Sequence, residues 1–159
     1  MIEVVWASDQ TPEYNQAFAQ FVTGLIPGCT GFSDFVSMGV IDRETLIACV
    51  VYNNWFPQHG VIEFSAASTS RRWLTRPVLK EMFNYPFKTL GCQMVAVRVA
   101  ETNRAMAQIC EDFGFNKYVI PRLHGRDEAE IIFTLTDDQW ANHPVNTSLD
   151  NRKKRSANG

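Results

Sequence analysis

VIEFSAASTSRRWLTRPVLKEMFNYPFKTLGCQMVAVRVAETNRAMAQICEDFGF, residues 61–115, is the stretch that decides the fold. Its opening, residues 61–67, is β-rich and entered from Gly60, so a strand is expected there. Ser68, Thr69, Ser70, Arg71, Arg72 and Trp73 then lead into a helix. Proline is tolerated in the first turn of a helix, where the backbone N–H has no partner, so Pro77 sets the start between Trp73 and Arg76. Val78, Leu79, Met82, Phe83, Phe87 and Leu90 recur at helical spacing up to Gly91, with Pro86 kinking the last turn or ending the regular helix early. Residues 94–99 read as a strand. Residues 103–113 read as a helix with Ala105, Met106, Ile109, Cys110 and Phe113 on one face and Gly114 as its C-cap. Strands alternating with helices imply parallel strands joined by crossovers.

Outward from this block the pattern changes. On the N-terminal side a strand is expected over 2–7. A helix follows, with Thr11 as N-cap, Pro12 in its first turn and Ile26-Pro27-Gly28 closing it. Two β-rich runs, 35–41 and 45–52, flank Asp42-Arg43-Glu44 as a hairpin. On the C-terminal side strands are expected over 115–120 and 130–135, with 121–125 as a loop between them and a helical turn around Trp140. The order is β-α-β-β-β-α-β-α-β-β, an α/β (α+β) chain with a mixed sheet. One domain is expected over 1–143, and 144–159 is a polar tail expected to be disordered.

Composition narrows the function classes. At 159 residues, 45% hydrophobic and 20% charged, the chain is globular in composition. Its apolar runs are strand-length, and the N-terminus lacks the basic start and apolar stretch of a signal peptide, so a cytoplasmic protein with no membrane role is expected. A net charge of −2 gives no general reason to expect nucleic acid as partner, although Arg71, Arg72 and Arg76 crowd one segment and Arg152, Lys153, Lys154 and Arg155 another. Cys29, Cys49, Cys92 and Cys110 lie far apart without CxxC spacing, which argues against zinc and against disulfides. No metal is expected.

Arg71 and Arg72 precede a helix N-terminus, whose free N–H groups and positive dipole end can hold an anion. The loop has no glycine and is neither a Walker A nor a dinucleotide fingerprint. On residues alone, a phosphate site and a solvated arginine loop stand equal.

Four further features point one way. Phe87-Lys88-Thr89-Leu90-Gly91 closes the second long helix; Asn103 precedes Gly114-Phe115 at helical distance; Asp127, Ile131-Ile132-Phe133 and Gln139-Trp140 close the chain; and the element order spans Val4 to Trp140. Together they resemble the GNAT superfamily of N-acetyltransferases and its RimJ/RimL-like branch. The run from Glu63 through Trp73-Leu74-Thr75-Arg76 also resembles a phage and prophage-type subgroup.

That resemblance implies a mixed, mostly antiparallel sheet of six to seven strands flanked by helices. It implies acetyl-CoA as cosubstrate and an amine acceptor (a protein N-terminus, a lysine or a small amine) that attacks the thioester directly. It places the pantetheine arm along Phe64, Ser65 and Ala66. The pyrophosphate falls on Ser70, Arg71, Arg72 and Trp73 with Leu74 and Thr75, and Asn103 sits beside the arm. The family's R-G-x-G loop falls on Ser70-Arg71-Arg72-Trp73, so both glycines are absent and the two arginines are left to compensate. Glu63 is the first candidate for general base and Glu101 the second; Arg98 stands where some relatives carry a strand glutamate. Cys110, seven residues after Asn103, takes the position of a tyrosine that protonates the leaving thiolate in many relatives, and it also fits as a small core residue. His124 falls in a loop that contacts the acceptor in relatives; apart from the resemblance, Trp55-Phe56-Pro57 reads as a loop able to line an acceptor groove, with Trp55 fitting equally as a packing residue.

Two other readings stay open. One is a non-catalytic GNAT-fold protein with a relict CoA site that binds a partner; the other is a nucleotide- or nucleic-acid-binding module using the same arginines. A homodimer is left open too.

Overall fold

The computed structural model describes residues 1–147. Its elements are β1 (Ile2–Ala7), α1 (Pro12–Leu25), β2 (Val36–Asp42), β3 (Thr45–Phe56), β4 (Val61–Ser68), α2 (Arg76–Asn84), β5 (Met94–Ala100), α3 (Arg104–Phe113), β6 (Asn116–Gly125), β7 (Glu128–Thr136) and α4 (Asp137–Ala141). A single 3-10 turn, Arg71–Trp73, precedes α2, and a π-helical turn, Tyr85–Thr89, follows it. The expected order holds throughout.

The seven strands form one sheet in the order β1-β2-β3-β4-β5-β7-β6. Every neighbouring pair is antiparallel except β4 and β5, the pair that α2 crosses over to join. The second expected crossover, through α3, does not place β6 beside β5: β7 folds back between them. The segment 121–125, expected as a loop, continues β6 to Gly125. An edge strand can carry Pro121 because its N–H side need not join a ladder.

Alternation along each strand sends side chains to two faces. On one face α1 buries Phe18, Ala19 and Val22 against Cys49, Val51 and Ala67. Gly39 makes that close approach possible, since a Cβ there would lie 2.5 Å from Phe18 Cζ. On the other face α2 and α3 cover Met38, Val50, Phe64, Val97 and Phe133. Phe83 is the hub of that layer. It stacks on Phe113 at 4.9 Å and meets Trp140 at 4.9 Å, tying α2, α3 and α4 together. Buried Tyr52 donates its hydroxyl to Met82 O at 2.5 Å and pins α2 to the sheet.

Helix ends follow their residues. Thr75 caps α2 by accepting from Val78 N, and Asn103 caps α3 by accepting from Met106 N. Gly114, at φ 101°, closes α3 as expected. Thr11 stands at the N-cap position of α1, but its hydroxyl accepts from Ser8 N, so the expected side-chain cap is not made. Val145 packs against the core and donates its N–H to His143 Nδ1, and His143 stacks on Phe113 at 4.1 Å. The basic run 152–155 and the rest of the polar tail lie outside the described residues. Among the described residues no helix is long and apolar enough to cross a membrane.

Candidate functional site

β4 and β5 pair over only three positions, Val61 with Met94, Ile62 with Val95 and Glu63 with Ala96. Gly60 O, accepting from both Gln93 N and Met94 N, fastens the closed end. Beyond Glu63 the strands part. β4 continues to pair with β3 through Ser65 and Ala66, while β5 continues with β7 through Val97 to Ala100. The facing backbone edges of 64–67 and 97–100 are therefore free of each other in the middle of a sheet, and such groups need partners.

Two cavities open at this gap, one from each face. On the α2/α3 face an apolar cavity of about 330 Å³ is walled by Phe64, Trp73, Leu74, Phe83, Cys110 and Phe113 among others. On the α1 face a polar cleft of about 530 Å³ is walled by Ser65, Arg98, Asn103, His124, Glu128 and Glu130, with Leu25 to Gly28 at the end of α1. Ala66 and Met106 line both, so the cavities meet at the gap.

The sequence candidates divide between these surroundings. Phe64 faces the apolar cavity, Ser65 the cleft and Ala66 both. Trp73, almost fully buried, and Leu74 wall the apolar cavity just before the α2 N-terminus. Ser70 Oγ accepts from Arg72 N and Thr75 Oγ1 caps α2, so these two hydroxyls shape the turn. Arg71 and Arg72 are exposed. Arg76 Nη1 is buried without a hydrogen-bond partner, the one such side-chain atom among the described residues. A guanidinium nitrogen left dry and unpaired at a helix N-terminus is what an anionic group arriving there would satisfy. Exposed arginines, an orphaned guanidinium, an apolar passage and an unpaired backbone gap together fit a long thiol ester with a phosphate-bearing end.

The candidates for proton transfer are placed otherwise. Glu63 accepts from Asn54 Nδ2 and from Arg98 Nε at 2.7 Å, and Arg98 Nη1 reaches Glu130 at 3.6 Å. The hydrogen bond that Arg98 donates to Glu63, aided by the charges of both glutamates, raises the Arg98 pKa above its usual value although burial works against it. Glu101 accepts from Ala129 N while its own N–H donates to Ala129 O, which ties the start of β7 to the end of β5. The Cys110 thiol is pushed up to about 12, first by burial and then by the Glu111 charge.

Sequence reasoning missed Glu128 and Glu130, which share the α1 face with Ser65 and Arg98. Glu130 is only 13% exposed at its side chain, and Glu128 accepts from Thr102 Oγ1 at 2.5 Å. The alternating pattern Glu128-Ala129-Glu130 carried the signal, since residues two apart on a strand share a face. Among the described residues no group of three His, Cys, Asp or Glu is placed to hold a metal.

No protein-family model matches the chain, and no curated protein matches it in sequence. Solved structures do match in fold. Mutant forms of the spermidine/spermine N-acetyltransferase SpeG from Vibrio cholerae superpose with a TM-score of 0.68 at 14% identity, over 89% of this chain and 98% of that one. The dodecameric Vibrio cholerae spermidine N-acetyltransferase in an intermediate state gives 0.66 at 13%, over 89% and 96%. A candidate acetyltransferase from T. thermophilus gives 0.59 at 14%, over 90% and 72%. At these identities what is shared is the fold: this chain has the same mixed-sheet architecture as these acetyltransferases.

Proposed function

We propose that this GNAT-fold chain is an acetyl-CoA-dependent N-acetyltransferase acting on a primary amine. The observation that carries the reading is the gap between β4 and β5, which joins an apolar cavity on one face to a polar, carboxylate-walled cleft on the other. Two reactants can then meet at Ser65 and Ala66 from opposite sides of the sheet.

Arg71, Arg72 and Arg76, with the α2 N-terminus, hold the phosphates, doing with side chains what glycine backbones do in the resembled loop. Phe64, Trp73 and Leu74 exclude water from the arm. The free N–H groups of β4 beside Ser65 polarise the thioester carbonyl. Acetyl-CoA supplies the activated acyl group. Asn103, at the cleft wall, orients the arm where it enters.

Glu128 and Glu130 draw the ammonium form of the acceptor into the cleft, and Arg98 beside them disfavours that charge once the amine is in place. Glu130 takes the proton through water. This role moves from Glu63, whose carboxylate already takes Asn54 and Arg98. Cys110 is a wall of the apolar cavity in this reading. A thiol at about 12 donating to a thiolate of ordinary pKa, ~8.5, would run roughly 5 kcal/mol uphill, so solvent protonates the leaving group. Membership of the RimJ/RimL-like branch, with a phage or prophage-type subgroup, is the finer assignment we favour from the residues quoted above. A protein N-terminus, a lysine and a small amine all satisfy the cleft's chemistry.

The test is release of free CoA thiol from acetyl-CoA across a panel of primary amines, including a peptide α-amine, a lysine peptide and a diamine. Turnover with at least one, reduced in Glu130→Gln, is expected. Tight acetyl-CoA binding with no turnover on any of them would favour the non-catalytic reading, which the engaged Glu63 and the glycine-free loop support.

A further inference from the structure

β6 is the outer strand of the sheet, and every one of its residues is exposed. The opposite edge, β1, is half-buried along most of its length. β6 nevertheless carries large apolar side chains on both of its faces. Tyr118 is 55% exposed, Val119 53% and Ile120 38%. Edges of this kind are usually blunted by charge, by proline or by a bulge. Here Pro121, the left-handed Arg122 and the register break after Ile120 blunt only the C-terminal half. Over 116–120 the ladder to β7 is regular, and its one charge, Lys117, is already neutralised by Glu111 at 2.5 Å.

The geometry points to a second copy of this chain as the occupant, paired antiparallel through residues 116–120 of each β6 about a two-fold axis at Tyr118. The pairing is self-complementary, as an isologous interface must be. Tyr118 meets Tyr118, Lys117 falls opposite Val119, Asn116 falls opposite Ile120, and no like charges face each other. The antiparallel order also carries the basic half of one β6, with Arg122 and His124, toward the C-terminal end of α3 in the other copy, which ends in Glu111 and Asp112 just before Phe113. Tyr118 and Ile120 share the sheet face of Glu130, through their pairing with Ile132 and Glu130, so a second copy would wall the open side of the polar cleft. This inference does not depend on the proposed reaction.

Sedimentation of the full chain across the micromolar range tests it, with Tyr118→Lys and Val119→Lys as variants and circular dichroism confirming that each is folded. Both side chains are more than half exposed, so neither substitution disturbs the core. The wild type is expected at twice the chain mass and both variants at the mass of one chain. Tyr118→Cys is expected to cross-link to a covalent dimer on mild oxidation. A wild type that sediments as a single chain at tens of micromolar overturns the proposal, as does an assembly whose mass neither lysine variant lowers.

Discussion

Replacing Gly39 by alanine should loosen α1 from the sheet. A Cβ at this position would stand 2.5, 2.7 and 2.9 Å from Cζ, Cε1 and Cε2 of Phe18, far inside contact distance. Phe18 is 4% exposed and wedged among Ala19, Val22, Cys49 and Val51, so the ring cannot swing aside and the helix must lift. Overpacking of this kind costs about 1–3 kcal/mol. For a chain of this length about 2 kcal/mol lowers the Tm by roughly 4–8 °C. Gly24 offers a matched control within the same unit. It lies in α1 with nothing within 4 Å of an added Cβ, so Gly24→Ala should stabilise by up to about 1 kcal/mol through helix propensity alone.

Thermal and urea unfolding followed by circular dichroism would read both. A double-mutant cycle with Phe18→Leu should recover part of the Gly39→Ala loss, because the two side chains compete for one space. Because α1 ends at the wall of the polar cleft, Gly39→Ala should also weaken acceptor binding more than acetyl-CoA binding. A Gly39→Ala protein that melts at or above the wild type would refute the packing argument, and with it the placement of α1 on β2 and β3.

Glu130→Gln should lower acyl transfer by about 10²-fold or more, the range of general acid–base contributions, with acetyl-CoA affinity kept within a factor of two, measured by thiol release and calorimetry. Cys110→Ala should keep at least half of the wild-type turnover number; a loss beyond tenfold would restore the thiol to the mechanism. Cys49 and Cys110 are both raised to about 12, against 9.0 for the free group, so the folded protein retains protons that the unfolded chain loses. These thiols therefore leave stability unchanged below pH 9 and lower it as pH rises toward 12, at about 1.4 kcal/mol per pH unit for each thiol, a slope that alkaline urea titrations of wild type and Cys49→Ala would show. Thr136→Ala removes one arm of the capping box that starts α4, and should cost about 1 kcal/mol in urea unfolding.

Much of the fold was legible because its punctuation is local. Pro12 and Pro77 mark helix starts, and Gly114 marks a helix end with a left-handed φ that other residues avoid. The sheet order was not legible from spacing, since β6 and β7 form a local hairpin but β7 is set between β5 and β6 by its long-range pairing with β5. The strand 121–125 was hidden by Pro121, which argues against a central strand but not against an edge. For the site, the resemblance named Phe64, Ser65, Ala66 and Asn103, and the structure puts all four on the two joined cavities. The partner of Glu63 is decided by register, which spacing along the sequence does not reveal. Glu63 pairs with Ala96, which sets Arg98 diagonally across on the same face, within reach of its carboxylate. Glu128 went unread because the expected strand began two residues late, and Glu130 because spacing does not say which face of a strand meets a cleft.

Calorimetric titration of acetyl-CoA into the wild type and into a variant with Arg71→Ala and Arg72→Ala tests the central claim most directly. The account predicts binding to the wild type that weakens by about tenfold or more in the variant, as expected when charge-assisted contacts to phosphate are removed. No detectable binding to the wild type at millimolar acetyl-CoA would contradict it, and the gap between β4 and β5 would then serve some other ligand.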